Sequence, residues 1–301
     1  MIGITGLSGY IGIHLANFLK ENKKDFIGLI KKNTADRDIE VLTDCGAAYC
    51  LVDFLDAESV YNALDGVTTI VHLVGSIYKP KNMSLHTLHA DVTTTLLEAA
   101  KKRGVKKIIY ISALGSSLEA ASSYHKTKAE AESAIKQSGI PYVILEPSLI
   151  FGKLYGHRNS KIVARMADSI TRLPFIPVVG SGKNKLQPLY IMDLVECIYA
   201  SIDPSIKKAT IELGGPQVMT MEEIASTIAG AAGCAEKNIV RLPLPVASVL
   251  AALMEKFSEQ PKITRDQVKM AGKDNICSVP VKTPFKELIT TSMTDALTSL
   301  L

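Results

Sequence analysis

The sequence predicts an α/β fold, a doubly wound parallel sheet with helices on both faces and a smaller C-terminal region laid over its edge. Three observations predict it. Short apolar or β-branched runs alternate with helix-length amphipathic segments through the first half of the chain. The runs "TIVHLV" and "KIIYIS" are apolar almost throughout, as strands buried on both faces are. The chain also opens with "MIGITGLSGYIG", in which Gly6, Gly9 and Gly12 follow the first apolar run directly.

Strands are expected at 1–5, 25–30, 48–52, 69–74, 107–111 and 142–146, and helices at 11–21, 57–65, 88–103 and 124–138. In the first helix Ile11, Leu15 and Phe18 share one face. Each intervening segment is long enough for the crossover that joins parallel neighbours. After about residue 149 the texture changes. The stretches "LPFIPVVGSGKNKLQP" and "LGGPQVMTMEE" separate helical patterns there. The expected organisation is a sheet core in 1–150 and a smaller region in 151–301, with parts of about 185–215 returning to the sheet.

The composition narrows the function. Of 301 residues 47% are hydrophobic and 21% charged, a globular balance, and no internal repeat is present. The net charge of +4 comes from 34 basic and 30 acidic residues without a dense basic block, which argues against nucleic acid as a partner. Cys45, Cys50, Cys197, Cys234 and Cys277 form no C-x-x-C pair, which predicts reduced thiols and a cytoplasmic setting. A strand begins at the first residue, so no secretory leader is expected. The stretch "LPLPVASVLAALMEKF" (242–257) is the one candidate for membrane contact. It falls short of the ~20 apolar residues of a spanning helix. It is expected to pack on the protein, on a partner complex or on a membrane surface, not to cross a bilayer.

The glycines have a physical reading in this setting. Gly6 permits the tight turn off the first strand, Gly9 lets the backbone approach a pyrophosphate, and Gly12 lets the new helix press on the sheet. A phosphate then meets unpaired N–H groups at a helix start. The turn T-G-x-x-G-x-x-G spans Thr5, Gly6, Ser8, Gly9, Tyr10, Ile11 and Gly12. With "SSYHKTKAEAE", which supplies Y-x-x-x-K as Tyr124 and Lys128, it resembles the extended and atypical short-chain dehydrogenase/reductase superfamily. "VHLVGSIY" resembles that superfamily's segment beneath the nicotinamide ribose (Leu73, Val74 and Gly75), and "YVILEPSLIFG" its strand ending beside the nicotinamide at Pro147 and Ser148. The phrases His72–Gly75, Ser112–Gly115, Gln187–Pro188 and "TRDQV" (264–268) are similar to the subgroup containing the nucleotide-binding accessory subunit of respiratory complex I and its bacterial relatives.

The resemblance implies a Rossmann-type sheet with a substrate-capping C-terminal region. It also implies an NAD(P)(H) cofactor, Tyr124 as acid/base, and Lys128 on the nicotinamide ribose. Residues four apart share a helix face, so Tyr124 and Lys128 can address one pocket. An adjacent ammonium is expected to lower the phenol from its usual ~10. The superfamily's substrate-steadying hydroxyl would fall near Ala113 or Leu114, where this chain has none. Ser112 sits slightly early and is counted with the cofactor site, and a different loop path would let Ser116 or Ser117 substitute. At the end of the second strand Lys31 and Lys32 replace the acid of an NAD site, which favours NADP(H) while leaving NAD(H) open. Asp53, with Phe54, is similar to the superfamily's adenine-contacting acid, and Asp56 is expected to cap a helix.

His86 and His89 have H-x-x-H spacing without a third ligand nearby, so no metal site is expected. His72 is read as a core imidazole, and His125 as projecting about a quarter-turn away from Tyr124. Glu146 stands where related chains often carry arginine. Two functions follow. One is an NADP(H)-dependent oxidoreductase of a small carbonyl or alcohol whose identity the sequence does not give. The other is a non-catalytic protein that holds NADP(H) within a larger complex.

Overall fold

The computed structural model describes residues 1–79, 82–153, 161–257, 261–282 and 284–298. The nucleotide half runs β1 (Ile2–Thr5), α1 (Tyr10–Glu21), β2 (Phe26–Lys31), α2 (Asp36–Asp44), β3 (Tyr49–Val52), α3 (Ala57–Ala63) and β4 (Thr69–His72). A π-helical turn, Thr87–Asp91, leads into α4 (Val92–Arg103), followed by β5 (Lys107–Ile111), α5 (Ser123–Gln137) and β6 (Tyr142–Pro147). Next come β7 (Ile150–Phe151), α6 (Lys161–Arg172), β8 (Ile176–Val179), β9 (Lys185–Leu186), β10 (Leu189–Tyr190), α7 (Ile191–Ala200) and β11 (Ala209–Leu213). The chain closes with β12 (Met219–Thr220), α8 (Met221–Ala231), β13 (Ile239–Leu242), α9 (Leu244–Phe257), α10 (Arg265–Met270) and two short helices.

Seven strands form one sheet in the order β11-β6-β5-β4-β1-β2-β3, every pairing parallel. The strand order reverses between β1 and β4, and this switch point opens a crevice at the strands' carboxyl ends. Thr5 stands there with Leu29 on one side and His72 on the other. Side chains alternate between the faces. Ile109, Ile111 and Val143 pack with Ile13, Leu15 and Leu19 of α1 and with α7. Ile108, Tyr110 and Ile144 pack with Val60, Leu96 and Ile135 of α3, α4 and α5. A third cluster, including Phe151, Ile176, Ile224 and Ile228, forms the core of the C-terminal region.

Two departures from the expected elements have local causes. The helix α2 was not anticipated because only Leu42 of its nine residues is buried, which leaves almost no apolar stripe to read. The expected strand 69–74 ends at His72, and the helix expected from 88 begins as the π turn. Thr93, Thr94 and Thr95 each donate a hydroxyl to the carbonyl four residues back, the back-bonding that distorts a helix start. Asp56 caps α3 as expected, accepting the Glu58 amide.

Ile144 is fully buried at the centre of the β5–β6–β11 array. Ile144→Ala should cost about 2–5 kcal/mol of stability. Urea unfolding should show a lower midpoint with an unchanged slope.

Candidate functional site

The glycine turn builds an anion cradle. Gly6 adopts φ +72°, a left-handed conformation that favours glycine. Gly9 is the N-cap of α1 and has no side chain to bond the amides that follow, and no acid stands in the first turn. The first amides of α1, at Tyr10 and Ile11, thus lack a side-chain cap and suit an anion. At Gly12 an added Cβ would lie 2.3 Å from the Leu7 carbonyl oxygen, so only glycine lets α1 start this close to the turn. Ser8 is half-buried within the turn. The Tyr10 ring turns away to pack edge-on against His14 at 5.1 Å, and its buried hydroxyl lacks a partner among the described residues. This geometry fits a pyrophosphate at the turn.

A chain of buried hydrogen bonds ties the turn to α5. Thr93 donates to the His89 carbonyl (2.5 Å), so its oxygen accepts from His72 Nε2 (3.0 Å). His72 Nδ1 is then the acceptor for the Thr5 hydroxyl at 2.7 Å. His89 Nε2 accepts the Ser76 amide (3.1 Å), so its Nδ1 donates to Thr127 Oγ1 (2.8 Å). Both imidazoles are neutral in this arrangement. Burial is the main cause, with the nearby Lys128 charge adding to it, and together they push His72 down to about 3 and His89 to about 2. His72 is the expected core imidazole, whereas His89 holds the segment carrying Leu73, Val74 and Gly75. The exposed His86 instead meets Glu130 (2.7 Å) and Asp91 (3.3 Å).

Tyr124 and Lys128 lie one turn apart on α5, below Gly75. A Cβ on Gly75 would stand 2.8 Å from Lys128 Nζ, so glycine leaves room for the buried ammonium beneath the backbone. Nζ donates to the Ile111 carbonyl (2.8 Å) and lies 4.7 Å from the Tyr110 ring centre. Burial lowers Lys128 to about 7, opposed by Glu132. Tyr124 corrects the sequence expectation. Burial pushes its phenol up to about 12 instead of the ammonium drawing it down. Lys128 is itself desolvated, and its Nζ is turned to the Ile111 carbonyl and the Tyr110 ring, so at Tyr124 burial outweighs its charge. His125 bonds Ser122 Oγ (2.9 Å) through Nδ1 and reaches the Leu114 backbone.

Four further sequence-derived residues are occupied elsewhere. Ser112 donates to Glu132 at 2.5 Å, and Glu132 also meets Lys136 at 3.1 Å. Glu146 is hydrogen-bonded to Glu132, and burial with Glu132 beside it raises Glu146 well above the carboxylate range, so it stays a neutral donor. Pro147 accepts the Leu114 amide, and Ser148 donates to Asn275 Oδ1 at 2.9 Å. Asn275 Nδ2 in turn donates to the Leu114 carbonyl at 2.8 Å. The side-chain amide of Asn275 therefore bridges the β5 and β6 ends, beside the position where the superfamily's steadying hydroxyl was expected.

Sequence reasoning missed Asn275 and Asp266. Asp266 accepts the amides of Ser123 and Tyr124 at 2.9 and 3.1 Å, capping α5 from 142 residues away, and Gln267 donates to the Tyr78 hydroxyl at 2.9 Å. The "TRDQV" phrase was noticed, but nothing local tells which helix it caps. At the adenine end Lys31, the last residue of β2, and Lys32 after it are exposed. Asp53 is exposed and its Oδ1 accepts the Leu55 amide at 3.1 Å. Phe54 is a correction, since its ring is buried in the core cluster under β3 and not in the groove.

A parallel sheet with this order, a glycine-led α1 and a Tyr/Lys pair on α5 define a nucleotide-dependent short-chain reductase or epimerase architecture. Residues 2–214 match the NAD dependent epimerase/dehydratase family, and the chain belongs to it. Among relatives, it is 26% identical over 254 residues to the NADH dehydrogenase (ubiquinone) 1 alpha subcomplex subunit 9, mitochondrial, of Arabidopsis thaliana, covering 83% of this chain and 62% of that one. It is 24% identical to the protein of the same name from Dictyostelium discoideum, over 96% of this chain and 80% of that one. The likeness matches the subgroup anticipated from the motifs. The crystal structure of DesIV (dTDP-glucose 4,6-dehydratase) from Streptomyces venezuelae, with NAD and TYD bound, shares the fold with a TM-score of 0.76. That structure is 17% identical, with 99% of this chain and 95% of that one aligned.

The Glu132–Glu146 pair makes stability depend on pH. Glu146 holds a proton in the native state that the unfolded chain releases near its ordinary 4.5. Native protein therefore binds more protons above that value, and stability should fall as pH rises from there towards the raised pKa. Glu146→Gln should flatten this limb of a thermal-melting profile. An unchanged slope would show that the proton is not shared here.

Proposed function

We propose that this protein binds NADP(H) in preference to NAD(H) and keeps it bound, without turnover, as a structural or redox-sensing element of a larger protein assembly. The observation that carries this reading is Asn275, whose amide spans Leu114 and Ser148 where a substrate oxygen would otherwise be steadied. Three features support it. Ser112 is committed to Glu132. Desolvation raises the Tyr124 phenol to about 12, away from neutral pH. The mitochondrial relatives are named as subunits of a multisubunit dehydrogenase.

In this reading the amides of Tyr10 and Ile11 hold the pyrophosphate, Lys128 beneath Gly75 bonds the nicotinamide ribose, and Lys31 and Lys32 meet the 2′-phosphate. A bound nicotinamide would supply hydride chemistry. A second reading, an oxidoreductase of a small carbonyl or alcohol, is favoured by one observation: the Tyr124 hydroxyl makes no hydrogen bond among the described residues. In that reading Tyr124 passes its proton to the substrate oxygen, with Lys128 orienting the cofactor.

Fluorescence titration with NADPH should show tight binding that Tyr124→Phe leaves intact, with no nicotinamide absorbance change across a panel of carbonyl compounds. Turnover abolished by Tyr124→Phe would overturn the holding role and establish the second reading. Lys31→Ala with Lys32→Ala should weaken NADPH by about 10-fold or more and NADH far less, one charge-assisted contact being worth ~1.5–3 kcal/mol.

A further inference from the structure

The helix α9 carries an apolar stripe that faces solvent. Its anchoring face is narrow, with Ala247 and Ala251 buried against Val179, Leu242, Ile263 and Val268. Around the helix from that face lie Val246, Val249, Leu250, Leu253, Met254 and Phe257, between 37% and 79% exposed. These positions recur at three- and four-residue steps, so they form one continuous stripe of roughly 140° of arc at about 100° per residue. An apolar row of this length left in water marks an interaction surface.

The charge beside the stripe identifies its occupant. After α9 the chain turns and comes back along it, since α10 packs on α9 and a Cβ on Gly272 would lie 3.1 Å from Leu244 Cδ1. The returning segment brings Lys262, Lys269 and Lys273 alongside the helix, and Lys256 lies on α9 itself, all four exposed. The acids of the same hairpin that the structure describes are committed within the protein. Glu255 pairs with Arg265 at 2.8 Å, Asp266 caps α5, and Asp274 accepts the Lys185 amide. Lys262 stands 3.5 Å from Asp168, while Lys256, Lys269 and Lys273 make no ion pair among the described residues. Among the described residues, the lysines beside α9 therefore reach solvent as flexible positive charge. No helix among the described residues is long and apolar enough to cross a membrane.

We propose that α9 lies flat in the interface of an anionic lipid bilayer, its stripe among the acyl chains and the neighbouring lysines on the headgroups. Alanines at the anchoring face let the helix dock close to the protein while its larger side chains point outward. Long lysine side chains can cover apolar surface with their stems and still reach phosphates. The attachment is independent of the nucleotide site, so a nucleotide-binding protein would be held at a membrane surface without any spanning segment.

Co-sedimentation of the full chain with phosphatidylcholine vesicles containing phosphatidylglycerol should show binding. It should be at least about 10-fold weaker on phosphatidylcholine alone and at high salt. Val249→Asp with Leu253→Asp should abolish it. Both positions are exposed, so the circular dichroism spectrum and the NADPH titration should match those of the unaltered chain. Lys256→Gln, Lys269→Gln and Lys273→Gln together should remove the preference for anionic vesicles. Failure to bind anionic vesicles overturns the proposal, as does binding that the double aspartate variant leaves unchanged. A dimer seen in light scattering and lost in that variant, without vesicle binding, also overturns it and assigns the stripe to a second copy of the chain.

Discussion

The chain of buried hydrogen bonds from Thr5 through His72 and Thr93 to His89 and Thr127 sets the dimensions of the site. It works only with both imidazoles neutral, and burial keeps them so. Each imidazole has one donating and one accepting nitrogen, so each ring proton's place is fixed by its neighbour. A net hydrogen bond contributes about 1 kcal/mol, but an orphaned buried partner costs ~1–3 kcal/mol, which makes such a chain cooperative. Its geometric effect is larger than its energy. It locks the end of β1, the segment after β4, the π turn and the second turn of α5 at fixed separations, and these four pieces make up the floor of the crevice.

Lys128 depends on that floor. Removed from water between Ile111, Tyr110 and Gly75, it sits near the point of losing its charge. The same burial raises Tyr124. Two residues that would activate each other in a wetter pocket are both held towards neutrality here. On the far side of β5 the same economy recurs among acids: Glu146 keeps its proton beside Glu132, and Ser112 completes the arrangement. Glu146 is thus part of a buried carboxyl pair behind the strand ends.

How far the sequence could be read follows from the range of each interaction. The sheet strands, the glycine turn and the position of Tyr124 and Lys128 on one helix are written in periodicities of two to four residues, and those were legible. The helix α2 was not, because one buried leucine makes no pattern. Phe54 looked like a groove residue by motif position, but alternation past β3 turns its ring into the core. Asn275 and Asp266 act across 127 and 142 residues, and no local signal specifies such a partner. The direction of the Tyr124 shift was equally hidden. Proximity to a lysine can be inferred from spacing, whereas desolvation is a property of everything packed around it.

The capping of α5 by Asp266 has an architectural consequence. Ser123 and Tyr124 lean on that distant carboxylate while the Ser122 hydroxyl bonds the amide and ring of His125, so the amino end of the helix bearing the Tyr/Lys pair lacks two of its partners until the last sixth of the polypeptide has arrived. The portion matching the family stops at residue 214, well short of it. A nucleotide-binding half liberated by cleavage or by gene fission would start α5 with two bare amides, so the tail cannot be traded between cousins as an independent cassette. During synthesis on the ribosome, likewise, the crevice cannot mature until the tail has emerged.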